Sequence, residues 1–492
     1  MNIRNLTDIK NILFNNNTVK QTLFKNTFWL SLSMSVNKLL GLILLIYAAR
    51  ILGATEYGKF NFALAFVSLF VIFHDFGLPT IITREFAREK EKKEDIYSIL
   101  SLKILLGLGA FVLILLSSFF ITPDPDIRKL ILILVLFSLI NGFITIFYAF
   151  FQARQKMEYQ SWLEILQVLL IFSSGLYVLF KFPSVENLSY AYLFSALLAL
   201  IFVLFFFHFK VFHLKVAWQK SVWRKFLIMS WPLALTGLFG LLYSYTDSVM
   251  LGYWGMLTET GWYNAAYKIV MATLIPMGLI SGSFYPVLSK FFKESKEKLQ
   301  KTWDYQLEIM IFLALPLMVG GIVLASKIIY FFYPSDFSPS VLAFQILILT
   351  AGLIFLNRPF NDVMIACNQQ KKTFWITLFG ALVNIILNLI LIPKYSLYGA
   401  AVATVITYVL VLIMFLRYTM KFTPIRPFNL RFLSDFIVAS FSAVLMYFII
   451  IQPSIYNLNI FFSVIIGALA YLISLFILQK TIKPIFISYE KT

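Results

Sequence analysis

Lys38, Arg50, Asp75, Asp247, Lys268, Arg358 and Asp362 interrupt runs of Leu, Ile, Phe and Val. A charge at the centre of a bilayer costs about 2.5–3.5 kcal/mol on insertion scales, so each needs a partner or a water-filled cavity. Arginine offers a planar pair of donors to phosphate or carboxylate, and lysine a mobile point charge. The cations outnumber the acids, and phosphate is the anion that this set fits best. Asp75, Asp247 and Asp362 could carry a coupling ion or gate a path. Arg358 and Asp362 are four apart on one helix face, where they could also neutralise each other. Pro359, between them, removes a backbone donor and favours a kink. Asn384 and Asn388, also four apart, could bind sugar hydroxyls or tie helices together alongside Thr404 and Thr407. His74 stands beside Asp75, as a proton carrier or a packing residue. Lys103, Glu164, Asp304 and Glu308 fall near helix ends, where interfacial solvation accounts for them without a functional role.

The elements that position these residues follow from composition. Of 492 residues 60% are hydrophobic and 13% charged, with mean hydropathy +0.84; soluble domains carry about 25% charged residues. The expectation is an all-α integral membrane protein. A span takes about 20 apolar residues, which places helices near 26–50, 59–82, 97–121, 128–151, 162–181, 187–208, 226–252, 262–289, 304–325, 341–366, 372–392, 397–417, 431–451 and 459–479. No cleavable leader is expected ahead of the first.

The net charge is +18, yet most Lys and Arg fall on alternate connections. The N-terminus, 83–96, 152–161, 209–225, 290–303, 367–371, 418–430 and the tail are basic; 122–126, 182–187, 255–261 and 333–340 are not. The positive-inside rule reads this as both termini cytoplasmic, with basic loops attracted to anionic lipid, and excludes a nucleic-acid partner. No phosphate-binding G-x-x-x-x-G-K-[ST] loop is present, and no loop is long enough for a catalytic module. A single Cys367 excludes an internal disulfide or a cysteine-rich metal cluster. No cofactor, metal or enzymatic activity is expected.

EYGKFNFA at 56–63 is echoed by ETGWYNAA at 259–266. Glu, Gly, Asn and the final Ala match in register, Phe60 is answered by Tyr263, and Leu52-Gly53 by Leu251-Gly252. Six spans separate the copies, so both have the same orientation. This predicts two pseudo-symmetric six-helix bundles, at 26–215 and 216–420, two additional helices at 421–480, and cytoplasmic segments at 1–25 and 481–492. Transporters built from repeats place substrate between them. Gly58 and Gly261 are expected to make a tight outer turn, and Arg50 and Asp247, at near-equivalent places, to face each other as an outer gate.

The series ARILGATEYGKFNFA (49–63), HDFGLPTIITREFAR (74–88), TDSVMLGYW and ETGWYNAAYK (246–254, 259–268), FYPVLSK (284–290) and VNIILNLILIPKYSLYGAAVATVITY (383–408) resembles the oligosaccharide flippases. These form the polysaccharide-transporter branch of the multidrug/oligosaccharidyl-lipid/polysaccharide exporter superfamily. The resemblance covers roughly residues 22–480. It implies alternating access in the cytoplasmic (inner) cell membrane. The substrate it implies is a polyprenyl-diphosphate-linked oligosaccharide, carried to the outer leaflet for O antigen of lipopolysaccharide, capsule or exopolysaccharide. Turnover could be driven by counter-transport of H+ or Na+ through Asp75 or Asp247 or by the membrane potential alone, between which the sequence does not choose, and the polymerase and ligase of the same pathway are candidate partners. On the same ground Arg50, Arg84, Lys268 and Arg358 are expected to hold the anionic head, with Lys38 added for its depth. The alternatives are an ion-coupled small-molecule or drug exporter of the same superfamily, a lipid II flippase and, from another class, a membrane-embedded glycosyl polymerase or acyltransferase.

Overall fold

The computed structural model describes residues 14–16, 18–88, 93–210, 215 and 217–489, the side chains of 93, 210 and 482–489 excepted. Among these residues there is no strand. The helices are α1 (Val19–Asp75), α2 (Leu78–Arg88), α3 (Lys93–Ile121), α4 (Pro125–Ala153), α5 (Met157–Lys181), α6 (Val185–Lys210), α7 (Lys220–Tyr253), α8 (Leu257–Ala272), α9 (Ile275–Glu294), α10 (Lys296–Phe332), α11 (Pro339–Ala366), α12 (Gln370–Phe422), α13 (Leu430–Ile450), α14 (Pro453–Tyr456) and α15 (Ile460–Tyr489). Among the described residues, twelve stretches are long and apolar enough to cross a membrane. Two of them contain a residue with non-helical backbone angles, Gly53 in α1 and Ser396 in α12. With the arms on either side of these breaks taken separately, the described residues hold fourteen crossings, in agreement with the sequence. The protein is a multi-pass, all-α membrane protein.

Local signals set the helix starts. The Thr18 side chain accepts from the Gln21 amide at 3.2 Å, Asp124 from Asp126 at 2.8 Å ahead of Pro125, and Asn429 from Phe432 at 2.7 Å. Each occupies one of the amides that a first turn leaves without an intrahelical acceptor. On α3, Leu105, Leu108, Val112, Leu116 and Phe120 form an exposed stripe; apolar side chains at these spacings along one helix need acyl chains to cover them.

By compactness the chain forms two units, Met1–Tyr253 and Trp254–Thr492. The expected boundary at 215/216 followed the span count. The compact division comes after α7, because α7 packs on α1, α2 and α3. The first unit's core is aromatic: Phe86, Phe147, Phe150, Phe151, Phe207 and Phe226 are buried together, with Phe147 and Phe207 edge to face at 4.8 Å. In the second unit Trp303 is fully buried against Phe360 and donates from Nε1 to the Pro359 carbonyl at 3.1 Å. The last two long helices belong to this unit, with α13 packed on α10 and α15 on both.

The repeated stretch has the same local construction in both copies. Asn61 donates from Nδ2 to the Tyr57 carbonyl at 2.8 Å, and Asn264 to the Thr260 carbonyl at 2.9 Å. Phe60 and Tyr263 are both buried. The turn, however, is made elsewhere than expected. Gly58 and Gly261 lie inside helices and are buried; the left-handed positions are Gly53 (φ 77°) and Gly255 (φ 74°). Gly255 takes the place of Gly53 in the second copy. Gly252 instead lies within α7, where a Cβ would meet Cδ2 of Phe62 at 2.1 Å.

Candidate functional site

In the second unit, Ser281 on α9, Gln306 on α10 and Arg358 and Asp362 on α11 form one cluster. Asp362 has a side chain only 2% exposed. Its Oδ1 is 2.9 Å from Arg358 Nε, and its Oδ2 accepts from Gln306 Nε2 at 2.7 Å and from the Ser281 hydroxyl. Arg358 Nε also donates to Ser281 Oγ at 2.7 Å. The pair expected from the i, i+4 spacing is therefore present. It also has a direction: every recorded contact of the guanidinium is at Nε, and with 38% of the side chain exposed the two Nη groups have no partner among the described residues. Asp362 thus holds the arginine in place and leaves two parallel donors available.

Lys268 lies on α8, which packs on α11. It is half-buried and makes no ion pair or hydrogen bond among the described residues. An ammonium without a counter-ion within a membrane domain is costly, so Lys268 suits an anion that arrives.

The other expected residues have different surroundings. Lys38 is exposed and without a partner among the described residues. Arg84 is exposed, 3.0 Å from the neighbouring Glu85 and 3.6 Å from Met229 Sδ. Arg50 is exposed and Asp247 buried. They lie on α1 and α7, which pack on each other. Asn384 and Asn388 are buried; Asn388 Nδ2 donates to Asn384 Oδ1 at 3.1 Å, and Asn384 Nδ2 approaches Thr404 Oγ1 at 3.5 Å. Their amides join the two arms of α12. Cys367, between α11 and α12, is buried, which pushes its thiol up to about 11 and leaves it an inert packing group.

Asp75 is occupied as well. Lys103, from α3, places Nζ 3.0 Å from Asp75 Oδ1 with its side chain 2% exposed. The lysine near a helix end is thus an internal counter-ion, not a solvated interfacial residue. Glu164 is likewise internal, accepting from Ser33 Oγ at 2.6 Å and Gln160 Nε2 at 2.7 Å. Gln160 in turn accepts from Gln152 at 3.0 Å, and Gln152 from Thr83 at 3.2 Å. Nearly two turns before Glu164 on α5, the buried Glu158 pairs with the buried Lys25 at 2.7 Å. Asp304 and Glu308 fasten α13 to α10: Asn429 donates to Asp304 at 3.1 Å and Arg431 to Glu308 at 2.6 Å. The presence of Lys103, Ser281 and Gln306 in these clusters was not foreseen. The i, i+4 rule joins residues of one helix and is silent on partners from another.

Comparisons with known proteins agree with this architecture. The family model described as "Polysaccharide biosynthesis protein" matches residues 23–292, more than half of the chain, and a second, MatE, matches 232–390. The probable flippase AglR of Haloferax volcanii is 28% identical over 234 residues, 46% of this chain and 49% of that relative. The probable low-salt glycan biosynthesis flippase Agl15 of the same organism is 24% identical over 191 residues, 38% of this chain and 40% of that relative. The chain therefore spans about half or less of these relatives' lengths in the alignments. Among solved structures, the lipid II flippase MurJ in an inward closed conformation is similar in fold, with TM-score 0.75 and 18% identity over 92% of this chain and 98% of that one. A family match over more than half the sequence, on an all-α chain of fourteen crossings, identifies this protein as a member of the polysaccharide biosynthesis protein family.

Proposed function

We propose that the protein is a flippase that moves a polyprenyl-diphosphate-linked oligosaccharide from the inner to the outer leaflet of the cytoplasmic membrane. The glycan would supply surface polysaccharide: O antigen, capsule or exopolysaccharide. The observation that carries this reading is Arg358, which Asp362 holds by Nε alone so that its two Nη groups remain available. A diphosphate offers oxygens that the guanidinium can take in bidentate fashion, and Lys268, a second uncompensated cation elsewhere in the unit, adds attraction for an anion. The polyprenyl tail stays in lipid while the head passes by alternating access, with both termini cytoplasmic. The activity is transport; the chain has no catalytic role. One elementary charge crossing 100 mV is worth about 2.3 kcal/mol. A head of roughly two negative charges leaving an inside-negative cell gains about twice that, enough to drive turnover without a coupling ion.

The MatE match supports a second reading, an ion-coupled exporter of small molecules. Against it, Asp75 and Asp362 already have resident cations, Lys103 and Arg358.

The test is reconstitution into liposomes containing a labelled polyprenyl-diphosphate sugar, scored by the appearance of the sugar on the opposite leaflet. Wild type should transfer it, and a Lys268→Ala, Arg358→Ala double variant should lose transfer while inserting normally. Equal transfer by both would sink the reading.

A further inference from the structure

The two arms of α12, on either side of Ser396, each run about 26 residues. At 1.5 Å per residue that is roughly 39 Å, close to the bilayer's thickness of about 40–45 Å with its headgroups. The ends of both arms therefore fall at phosphate level. Lys372 Nζ stands 3.1 Å from the centroid of the Phe422 ring. The start of the first arm and the end of the second thus meet on one side of the bilayer.

Exposed side chains follow a stripe along each arm. On the first they are Lys371, Trp375, Phe379 and Leu382; on the second, Ile406, Val409, Ile413 and Arg417. Spacings of three and four keep each set on one helix face. Each stripe is apolar along its length and ends in a cation where the arms meet. Trp375, 60% exposed, sits one turn in from that end, a depth at which indole rings are favoured.

The cations there have no counter-charge. Between Asp362 and Asp435 the sequence contains no acid. Lys371, Lys372, Arg417 and Lys421 make no ion pair and no side-chain hydrogen bond among the described residues. Lys421 Nζ is 5.4 Å from the same Phe422 ring that Lys372 approaches, so two ammoniums crowd one aromatic group. Like charges at close range repel, and a ring offsets only part of that. At the opposite ends of the arms Lys394 is the one cation in the sequence. The excess charge therefore lies on one side of the bilayer.

This combination narrows the ligand. A soluble phosphate would engage the cations and leave the apolar stripes unused. A neutral lipid would cover the stripes and leave the cations uncompensated. An anionic phospholipid satisfies both, with acyl chains along a stripe and phosphate oxygens at the ammonium and guanidinium groups.

We propose that the joined ends of α12 form a binding site for an anionic phospholipid. Lys371, Lys372, Arg417 and Lys421 hold its headgroup, and its chains lie beside Trp375 and Phe379. The site uses neither Arg358 nor Lys268 and stands independently of what the protein carries.

The full chain would be placed in phosphatidylcholine nanodiscs doped with brominated phosphatidylglycerol or brominated phosphatidylcholine, whose acyl chains quench nearby indoles. The sequence has nine tryptophans, so the Trp375 signal is the difference between wild type and Trp375→Phe. Half-maximal quenching of this signal is expected at a roughly tenfold lower mole fraction of the anionic lipid than of the zwitterionic one. A Lys372→Gln, Lys421→Gln double variant should lose that preference while its quenching by the zwitterionic lipid stays unchanged, which also shows that it is folded. Equal quenching of wild type by both lipids would mean ordinary lipid contact and would overturn the site. So would a preference that survives in the double variant. Inorganic diphosphate should leave the quenching in place; its reversal would assign the cations to a soluble phosphate and overturn the lipid site.

Discussion

Lys103 Nζ and Asp75 Oδ1 are 3.0 Å apart, one on α3 and one at the end of α1, with the lysine shut away from solvent. Removing one partner of a buried pair leaves the other charge uncompensated, at a cost of about 3–5 kcal/mol. Lys103→Met should therefore lower the unfolding midpoint in detergent sharply, and adding Asp75→Asn should restore much of the loss. Single and double variants equally destabilised would show that the lysine stem, not the ion pair, matters.

Arg358 and Asp362 should separate by function. Asp362→Asn keeps the shape but removes the charge that aims the guanidinium, so transfer should fall while the protein remains folded. Arg358→Lys keeps a charge without the parallel donors and should recover only part of the activity that Arg358→Ala loses. Full activity in Arg358→Lys would show that a point charge is sufficient.

Asn384 and Asn388 are expected to affect stability more than transport. Asn388→Leu replaces a buried amide and removes its bond to Asn384, with an expected cost of about 1–2 kcal/mol. Transport per folded molecule should stay near wild type. A loss of flipping at unchanged stability would return these amides to the substrate.

The two helix breaks respond differently to substitution. Gly53 has φ 77° and ψ 172°, a region essentially confined to glycine, so Gly53→Ala should destabilise by about 1–3 kcal/mol although open space surrounds it. Ser396 has φ 52° and a buried hydroxyl without a partner. Ser396→Gly relieves both and should raise the unfolding midpoint. A lowered midpoint would show that the serine makes a compensating contact.

Much of the fold is legible in the residues because hydropathy reports directly on burial in lipid. Fourteen crossings emerge from runs of apolar residues, and the break in α12 falls between the expected helices 372–392 and 397–417. The glycine of the turn was misplaced because EYGKFNFA and ETGWYNAA match best at Gly58 and Gly261, whereas backbone angle selects Gly53 and Gly255. The site was partly legible. Arg358 and Asp362 share a helix, so spacing alone pairs them, and Lys268 stands out as a charge in an apolar run. Lys103 with Asp75, and Gln306 and Ser281 with Asp362, are joined only by tertiary packing between helices. Depth estimates from the sequence place Lys103 near the interface; its surroundings in the bundle determine its actual solvation.

Arg431 bonds Glu308 at 2.6 Å and Gln479 approaches the same carboxylate at 3.4 Å. One acid on α10 is thus shared by α13 and α15, both of which follow it in the chain. The packing of both later helices on α10 is thus tied to one carboxylate, and a charge lost there loosens two helix contacts at once.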